Sequence, residues 1–302
     1  MAFAYGRTMR LSIRHITSYR YDKPVTFSDH RLFLRPRDGH LLQTESFEVA
    51  TVPDARQRWV HDWHDNIVLV ASFGMNEGDE LRFDCSAIVR IRDHNPFDFI
   101  LDEGATAFPF FYQPRLQRSL APYLGRGRCG DSLQVRDWFH GAVPSPVSHP
   151  DVVAFLSDLN NAICRDIAYQ RRDEEGIQSP DETLELRRGS CRDMAVLFME
   201  ACRQLGLAAR FVSGYLYEPP ADTGERVGNR AQGAMHAWAE VYLPGAGWKG
   251  FDPTNGILAD HCYVPSAVSD EPTNVDPVQG SFFAAGAVDS HMTVELIIEA
   301  MK

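Results

Sequence analysis

Long apolar runs are missing from this 302-residue chain, and so are basic clusters, paired cysteines and an apolar leader. A membrane-crossing helix needs roughly 20 consecutive apolar residues, and no stretch comes near that, which sets membrane partners aside. Lys and Arg number 30 against 41 Asp and Glu, a formal charge of −11, with no basic stripe to hold a phosphate backbone. Nucleic-acid partners are set aside on that ground. The six cysteines, Cys85, Cys129, Cys164, Cys191, Cys202 and Cys262, are scattered, with no CxxC and no dense framework. That pattern argues against a disulfide scaffold and fits a reducing, cytoplasmic compartment. Met1 to Arg10 is short and mixed, without the apolar core of a signal peptide. Met9 opens a natural first strand, so residues 1–8 read as an extension or a misassigned start. Internal repeats and low-complexity tracts are absent as well.

The length leaves room for about two domains, and the character of the chain changes near residue 125. Residues 1–125 read as an N-terminal β domain: Leu11–Tyr21, Arg31–Arg35, Gln43–Val52, Arg56–His61, Asn66–Ala71 and Glu80–Ile91 are short β-rich segments. Pro53-Asp54 and Glu77-Gly78-Asp79 read as hairpin turns between them. Regular short strands of this kind argue for an antiparallel sandwich. Residues 126–302 read as the core, after a connector over 100–150 with short helices at Arg115–Tyr123 and Leu133–Phe139. A helix is predicted over Asp151–Tyr169 with Asp151 as its cap, and a short one over Asp181–Arg188. Strands are predicted at Ala208–Tyr217, Met235–Leu243, Trp248–Phe251 and Thr293–Ile298. Pro219 to Gly233 reads as a mobile rim, and Pro253 to Val288 as a long irregular segment.

Three residues in that core carry chemistry. Cys191 follows a Gly189-Ser190 break and opens an apolar helical pattern, Met194, Leu197, Phe198, Ala201, Cys202 and Leu205, stopped by Gly206. His236 begins an alternating segment, and Asp252 ends a short one just before Pro253. A thiolate is the nucleophilic form of cysteine, and a helix N-terminus favours an anion. An imidazole can take the thiol proton and return it to a leaving amine, while a carboxylate behind it fixes the tautomer. The Cys191 N–H would point at a developing oxyanion; a second donor is not identifiable from the sequence. The candidate catalytic set is therefore Cys191, His236 and Asp252, with no cofactor and no metal.

Four ordered blocks carry a resemblance: Gly189-Ser190-Cys191-Arg192-Asp193-Met194-Ala195, then Leu205 to Tyr215, then His236-Ala237-Trp238, then Gly247-Trp248 and Phe251-Asp252-Pro253-Thr254. Together they resemble the bacterial transglutaminase-like family of the papain-like cysteine-enzyme superfamily. The resemblance implies an α+β protein, an N-terminal antiparallel β-sandwich-like domain before a papain-like core of helices packed on an antiparallel sheet. It implies Cys191 as nucleophile, His236 as general base and acid, and Asp252 as orienting carboxylate, without the calcium sites of animal tissue enzymes. The expected activity is acyl transfer or hydrolysis at a peptide or side-chain amide through a thioester. Hydrolysis, as by a peptidase or amidase, is favoured over crosslinking, since water needs no second site. The partner is then a peptide or protein substrate or a small amide; the sequence is silent on oligomeric state. A non-catalytic binding or scaffold protein that keeps the fold is the alternative. An arylamine-acetyltransferase-like enzyme fits less well, because the nucleophile lies behind a β domain.

Other clusters have plainer readings. His61-Asp62-Trp63-His64-Asp65 offers two histidines and two aspartates, and His261-Cys262 another pair, but neither has the paired spacing of a zinc site. The first reads as a solvated turn. Arg171-Arg172 and Arg187-Arg188 read as solvated charge pairs. The aromatic run Phe108 to Tyr112 reads as packing at the domain interface.

Overall fold

Alternating burial decides where the chain first folds back on itself. The computed structural model describes residues 8–125, 132–145, 147–172, 176–219 and 235–301. Its first strands are β1 (Thr8–Phe27), β2 (His30–Leu32), β3 (Leu42–Val52), β4 (Arg56–His61), β5 (Ile67–Ser72) and β6 (Glu77–Arg92). Odd-numbered positions of β1 and β6 are buried, among them Leu11, Ile13, Val25, Phe27, Leu81, Phe83, Cys85, Val89 and Ile91. β1 pairs with β6 and β6 with β3, while β2 and β4 flank β5 in a second sheet, all antiparallel. Tyr21, Val25 and Phe27 of one sheet meet Leu32, Leu69 and Ala71 of the other, so this is the expected sandwich.

Its connections differ from expectation. Pro53-Asp54 is no hairpin turn, because it carries the chain from β3 in one sheet to β4 in the other. Glu77-Gly78-Asp79 is the start of β6, where Gly78 pairs with Val25, and the turn lies earlier, with Asn76 N–H donating to Phe73 C=O. Alternation tells which face of a strand is buried, not which strand lies beside it. β1 also continues past Asp22-Lys23-Pro24, with a register shift between Arg20 and Val25 where proline, which has no N–H to give, is tolerated.

The rest of the chain supplies α1 (Pro114–Ser119), α2 (Ala121–Leu124), α3 (Leu133–Ala142), α4 (Val152–Asp166), β7 (Ala168–Tyr169), α5 (Pro180–Leu186), β8 (Arg188–Gly189) and α6 (Cys191–Gln204). Then come β9 (Ala209–Leu216), β10 (His236–Leu243), β11 (Gly247–Asp252), β12 (Ile257–Leu258) and β13 (Tyr263–Ser269). These five strands form an antiparallel sheet in the order β12-β11-β10-β9-β13. α4 begins as predicted, with Asp151 Oδ1 accepting from Val153 N and Ala154 N at 2.8 and 3.1 Å. Val152, Phe155, Leu156, Leu159 and Ile163 of α4 are buried in one cluster with Met194, Leu197, Phe198 and Ala201 of α6 and with Ala237, Ala239 and Phe251 of the sheet. Val212, Trp238, Tyr263 and Val268 cluster on the sheet's other side. Phe108, Phe110 and Tyr112 pack into the helical core, Phe108 stacked on Phe155 at 4.1 Å, with Phe33 and Val68 of the β domain in the same cluster.

Two findings change the linear division at residue 125. The segment read as irregular, 253–288, contains β13, whose antiparallel pairing with β9 shifts register between Pro265 and Ala267; that proline hides the strand in the sequence. After β13 the chain leaves the core: β14 (Val278–Gln279) pairs with β2, β15 (Phe282–Phe283) with β1, and β16 (Ser290–Met301) with β1 from Arg10↔Met301 to Tyr21↔Ser290. The last predicted strand therefore completes the N-terminal sheet rather than the core. Strand pairing across the whole chain leaves no local trace in the sequence that could have shown it.

The two bodies are joined by buried polar contacts as well as by packing. Leu11, Ile13, Val89 and Ile91 meet Tyr215 and Val264 of the core sheet and Tyr217 just past β9. His64, expected in a solvated turn, is 9% exposed: Nδ1 is 2.8 Å from Tyr123 Oη, and Nε2 is 3.0 Å from Asp270 Oδ1. Asp62 folds the turn by accepting from His64 N and Asn66 N, which turns His64 and Asn66 inward while Trp63 stays outside. Asn66, fully buried, donates to Val268 C=O and accepts from Val268 N–H, each at 2.8 Å, so its amide acts as an extra strand residue against β13. Arg37 Nη1 donates to the same Asn66 carbonyl oxygen. Asn66→Ala strands both Val268 groups in the interior; we expect a loss of about 2–4 kcal/mol in urea unfolding, read against Trp63→Ala as an exposed control.

Candidate active site

The start of α6 is set by Ser190, the end by Gly206. Ser190 is extended at φ −79°, ψ 174°, and Cys191 is the first helical residue. Gly206 has φ +78°, with Leu207 N donating to Cys202 C=O and Gly206 N to Arg203 C=O, so glycine's left-handed freedom closes the helix. Every residue of the predicted apolar stripe up to Cys202 is fully buried, which fixes α6 and puts Cys191, 7% exposed, at its N-terminal end. His236 opens β10 opposite Gly214 of β9. A Cβ at Gly214 would lie 2.4 Å from Val264 C=O and 2.7 Å from the Trp238 ring, so only glycine lets β13 and Trp238 close around the histidine. Asp252 is the last residue of β11.

The structure brings His236 and Asp252 into contact and places Cys191 at the start of α6, which packs on β10. His236 Nε2 is 2.8 Å from Asp252 Oδ2, both side chains essentially without solvent exposure. Nδ1 of His236 is buried on the side of the ring away from Asp252, which occupies Nε2. Burial pulls the imidazole pKa down, but the charge and hydrogen bond of Asp252, then the hydrogen bond and charge of Cys191, outweigh it and push it up to about 10. Cys191 is thus one of the groups that favour the charged ring. Asp252 is the counterpart: burial works against its charge, yet His236, Tyr263 and Asn255 hold its carboxyl below the usual carboxylate range.

Sequence reasoning missed the groups that make a buried carboxylate tolerable. Asp252 Oδ2 accepts from Tyr263 Oη at 2.7 Å and Asn255 Nδ2 at 2.7 Å, besides His236; Oδ1 accepts from Thr254 N at 2.8 Å and Asn255 N at 3.4 Å. Asn160 of α4 donates to the main-chain carbonyl of Asp252 at 3.2 Å. Asn255 was within reach, since an Asn three residues past a strand-ending Asp is a turn signal. Tyr263 had no local signal, because it lies on the strand hidden by Pro265. Asp193 was legible too: it stands three residues after Ser190, in the spacing of a capping box. Ser190 N–H and Oγ–H both donate to Asp193 Oδ2, at 2.7 and 2.8 Å. Arg172, expected in a solvated pair, lies 3.0 Å from both Asp193 oxygens.

Other candidates lie elsewhere. His261 Nδ1 faces Asp93 Oδ1 at 3.1 Å, and burial pushes the neighbouring Cys262 thiol up to about 12. No group of three or more His, Cys, Asp or Glu side chains among the described residues converges as a metal would require. Cys129 and the rim read at Pro219 to Gly233, apart from Pro219 itself, fall outside the described residues.

Two family models match this chain. Residues 146–253, which include all three side chains, match the model of the transglutaminase-like superfamily core, and residues 11–90 match the bacterial transglutaminase-like N-terminal region. An uncharacterized protein of Mycobacterium tuberculosis (strain ATCC 25618 / H37Rv) is 29% identical over 287 residues, covering 91% of this chain and 88% of its own length. One from Mycobacterium leprae (strain TN) is 26% identical over 307 residues, covering 95% and 98%. A crystal structure of a candidate cysteine protease from Cytophaga hutchinsonii shares the fold at TM-score 0.69 and 17% identity, over 98% of this chain and 92% of that one.

The coupled pair sets a pH window. A histidine whose folded pKa is raised contributes stability that is complete below the unfolded value of ~6.5 and fades as pH rises towards the folded value. An aspartate with a lowered pKa contributes above ~3.9 and loses that contribution as pH falls. We expect the pair's stabilisation to be full from about pH 4 to 6.5 and to decline towards pH 10, measured by urea unfolding of wild type against Asp252→Asn. Imidazole NMR should show His236 protonated through neutrality in wild type, and its pKa lower by about 2 units or more in Asp252→Asn. A ring already neutral at pH 7 in the wild type would contradict this.

Proposed function

This chain belongs to the transglutaminase-like superfamily, with the bacterial N-terminal region ahead of its core, and on that footing we propose that it opens an amide bond through a Cys191 thioester and passes the acyl group to water. One observation carries the reading: a single buried imidazole with Asp252 on Nε2 and Cys191 acting on the same ring. With its pKa near 10, the imidazole holds a proton at neutral pH, and Asp252 balances the charge.

The steps follow from those charges. The Cys191 thiolate attacks the carbonyl carbon of a peptide or side-chain carboxamide, forming a C–S bond and an oxyanion. The Cys191 N–H, at the first turn of α6 where no carbonyl inside the helix can accept it, is the donor available to that charge. The oxyanion collapses, the C–N bond breaks, and the imidazolium gives its proton to the departing amine. The neutral ring then takes a proton from water as its oxygen attacks the thioester. The C–S bond breaks, leaving a carboxylic acid, a thiolate and an imidazolium as at the start. Asp252 stays ionised throughout and orients the ring. Water is the favoured acceptor because an amine acceptor needs its own site from which water is excluded.

The test is a panel of glutamine-containing peptides with a labelled primary amine, comparing wild type with Cys191→Ala. We expect ammonia or peptide release that falls at least about 1,000-fold in the variant. Cys191-dependent amine incorporation instead would make the protein a transferase. Neither product from any peptide would overturn the enzymatic reading and leave a binding scaffold.

A further inference from the structure

We propose that Arg172 is a positioning residue for Cys191, acting through the buried carboxylate of Asp193; the proposal rests on the reading of Cys191 as the nucleophile. Asp193 has no solvent exposure, and each of its oxygens is occupied. Oδ2 accepts both the N–H and the Oγ–H of Ser190, the residue that fixes where α6 begins and where Cys191 stands. Oδ1 accepts Gln178 N–H at 2.8 Å. Arg172 Nη1 lies 3.0 Å from both oxygens, its side chain 17% exposed.

The surrounding backbone is built for this contact. β7 and β8 pair in parallel, and Gln170 N–H donates to Gly189 C=O at 2.8 Å, so the strand leading to Arg172 runs beside the one leading to Cys191. A Cβ at Gly189 would come within 2.9 Å of Asp193 Cβ and 3.3 Å of Gln178 Oε1. The glycine two residues before the nucleophile therefore gives the carboxylate its room. Two segments distant in sequence are clamped to the helix start by one charge.

That charge needs its counterion. A fully buried carboxylate deprived of its cation draws water or a proton, and either outcome loosens its hold on Ser190. A shift of the helix start moves the sulfur relative to a ring that Asp252, Tyr263 and β10 hold in place. Displacements near 1 Å at a reacting atom cost on the order of 100-fold in rate. A role in stability alone would lower the melting point and leave the thiol's reactivity per folded molecule as it was.

The experiment compares wild type, Arg172→Gln and Arg172→Lys by circular dichroism and by the rate at which iodoacetamide alkylates Cys191, read by peptide mass spectrometry. Cys191 alkylation in Arg172→Gln should fall about 10- to 100-fold per folded molecule. Arg172→Lys should recover most of the rate, because one nitrogen makes both contacts. Where an amide substrate is found, kcat should fall with KM little changed. If Arg172→Gln does not fold, the Arg172→Gln/Asp193→Asn double variant, which buries no lone charge, should fold and alkylate slowly. A wild-type alkylation rate in the folded Gln or double variant, or a Lys variant as slow as Gln, would overturn the proposal. Alkylation is read whether or not the wild type opens any amide, so failure of the enzymatic reading shows separately.

Discussion

A negative charge on Asp252, with no solvent exposure, is the constraint the rest of the structure answers to. An isolated carboxylate in such a place would protonate rather than remain charged. Here hydrogen bonds arrive from three directions: the ring of His236 on β10, the phenol of Tyr263 on β13, and the amide and backbone of the turn at Thr254 and Asn255. Asn160 on α4 holds the backbone of the same residue. The sheet order β12-β11-β10-β9-β13 makes this possible, because β9 carries a glycine where β10 and β13 must close on each other. The charged aspartate in turn makes a protonated histidine sustainable in the interior.

The β domain is coupled to that centre by packing and by polar contacts onto and beside β13. Along β1 and β6, one buried face packs on the second sheet of the sandwich at one end and on β9 and β13 at the other. At the seam, His15 is buried against Tyr215, and burial pulls its pKa down to about 4. Asn66, Arg37 and His64 grip Val268, Pro265 and Asp270 on or beside β13, the strand that also supplies Tyr263. Both ends of one strand thus serve different bodies, its start the carboxylate and its end the sandwich.

Much of this was legible from residues alone, and what was missed shares a cause. The helix from Cys191 could be read because its stripe and its glycine stop are local, and the cap at Asp151 for the same reason. Cys191, His236 and Asp252 were singled out by their contexts, and His236 does meet Asp252; Asp193 and Asn255 could have been found by spacing. Tyr263, Arg172 and the inward turn of His64 could not, because each depends on a partner far away in the chain. A polar cluster such as His61 to Asp65 has the same composition whether it faces water or a neighbouring body. The placement of β16 beside β1 is the extreme case.

That last pairing also imposes an order of events. β1 precedes the transglutaminase-like core in the chain, but the ladder on its outer edge is supplied by residues 290–301, which follow that entire core. Until then β1 shows one row of open N–H and C=O groups, a template for pairing with another chain. Contacts between such distant segments form slowly. That flank of β1 is sealed only when residues 290–301 pair along it, after the rest of the chain has been made.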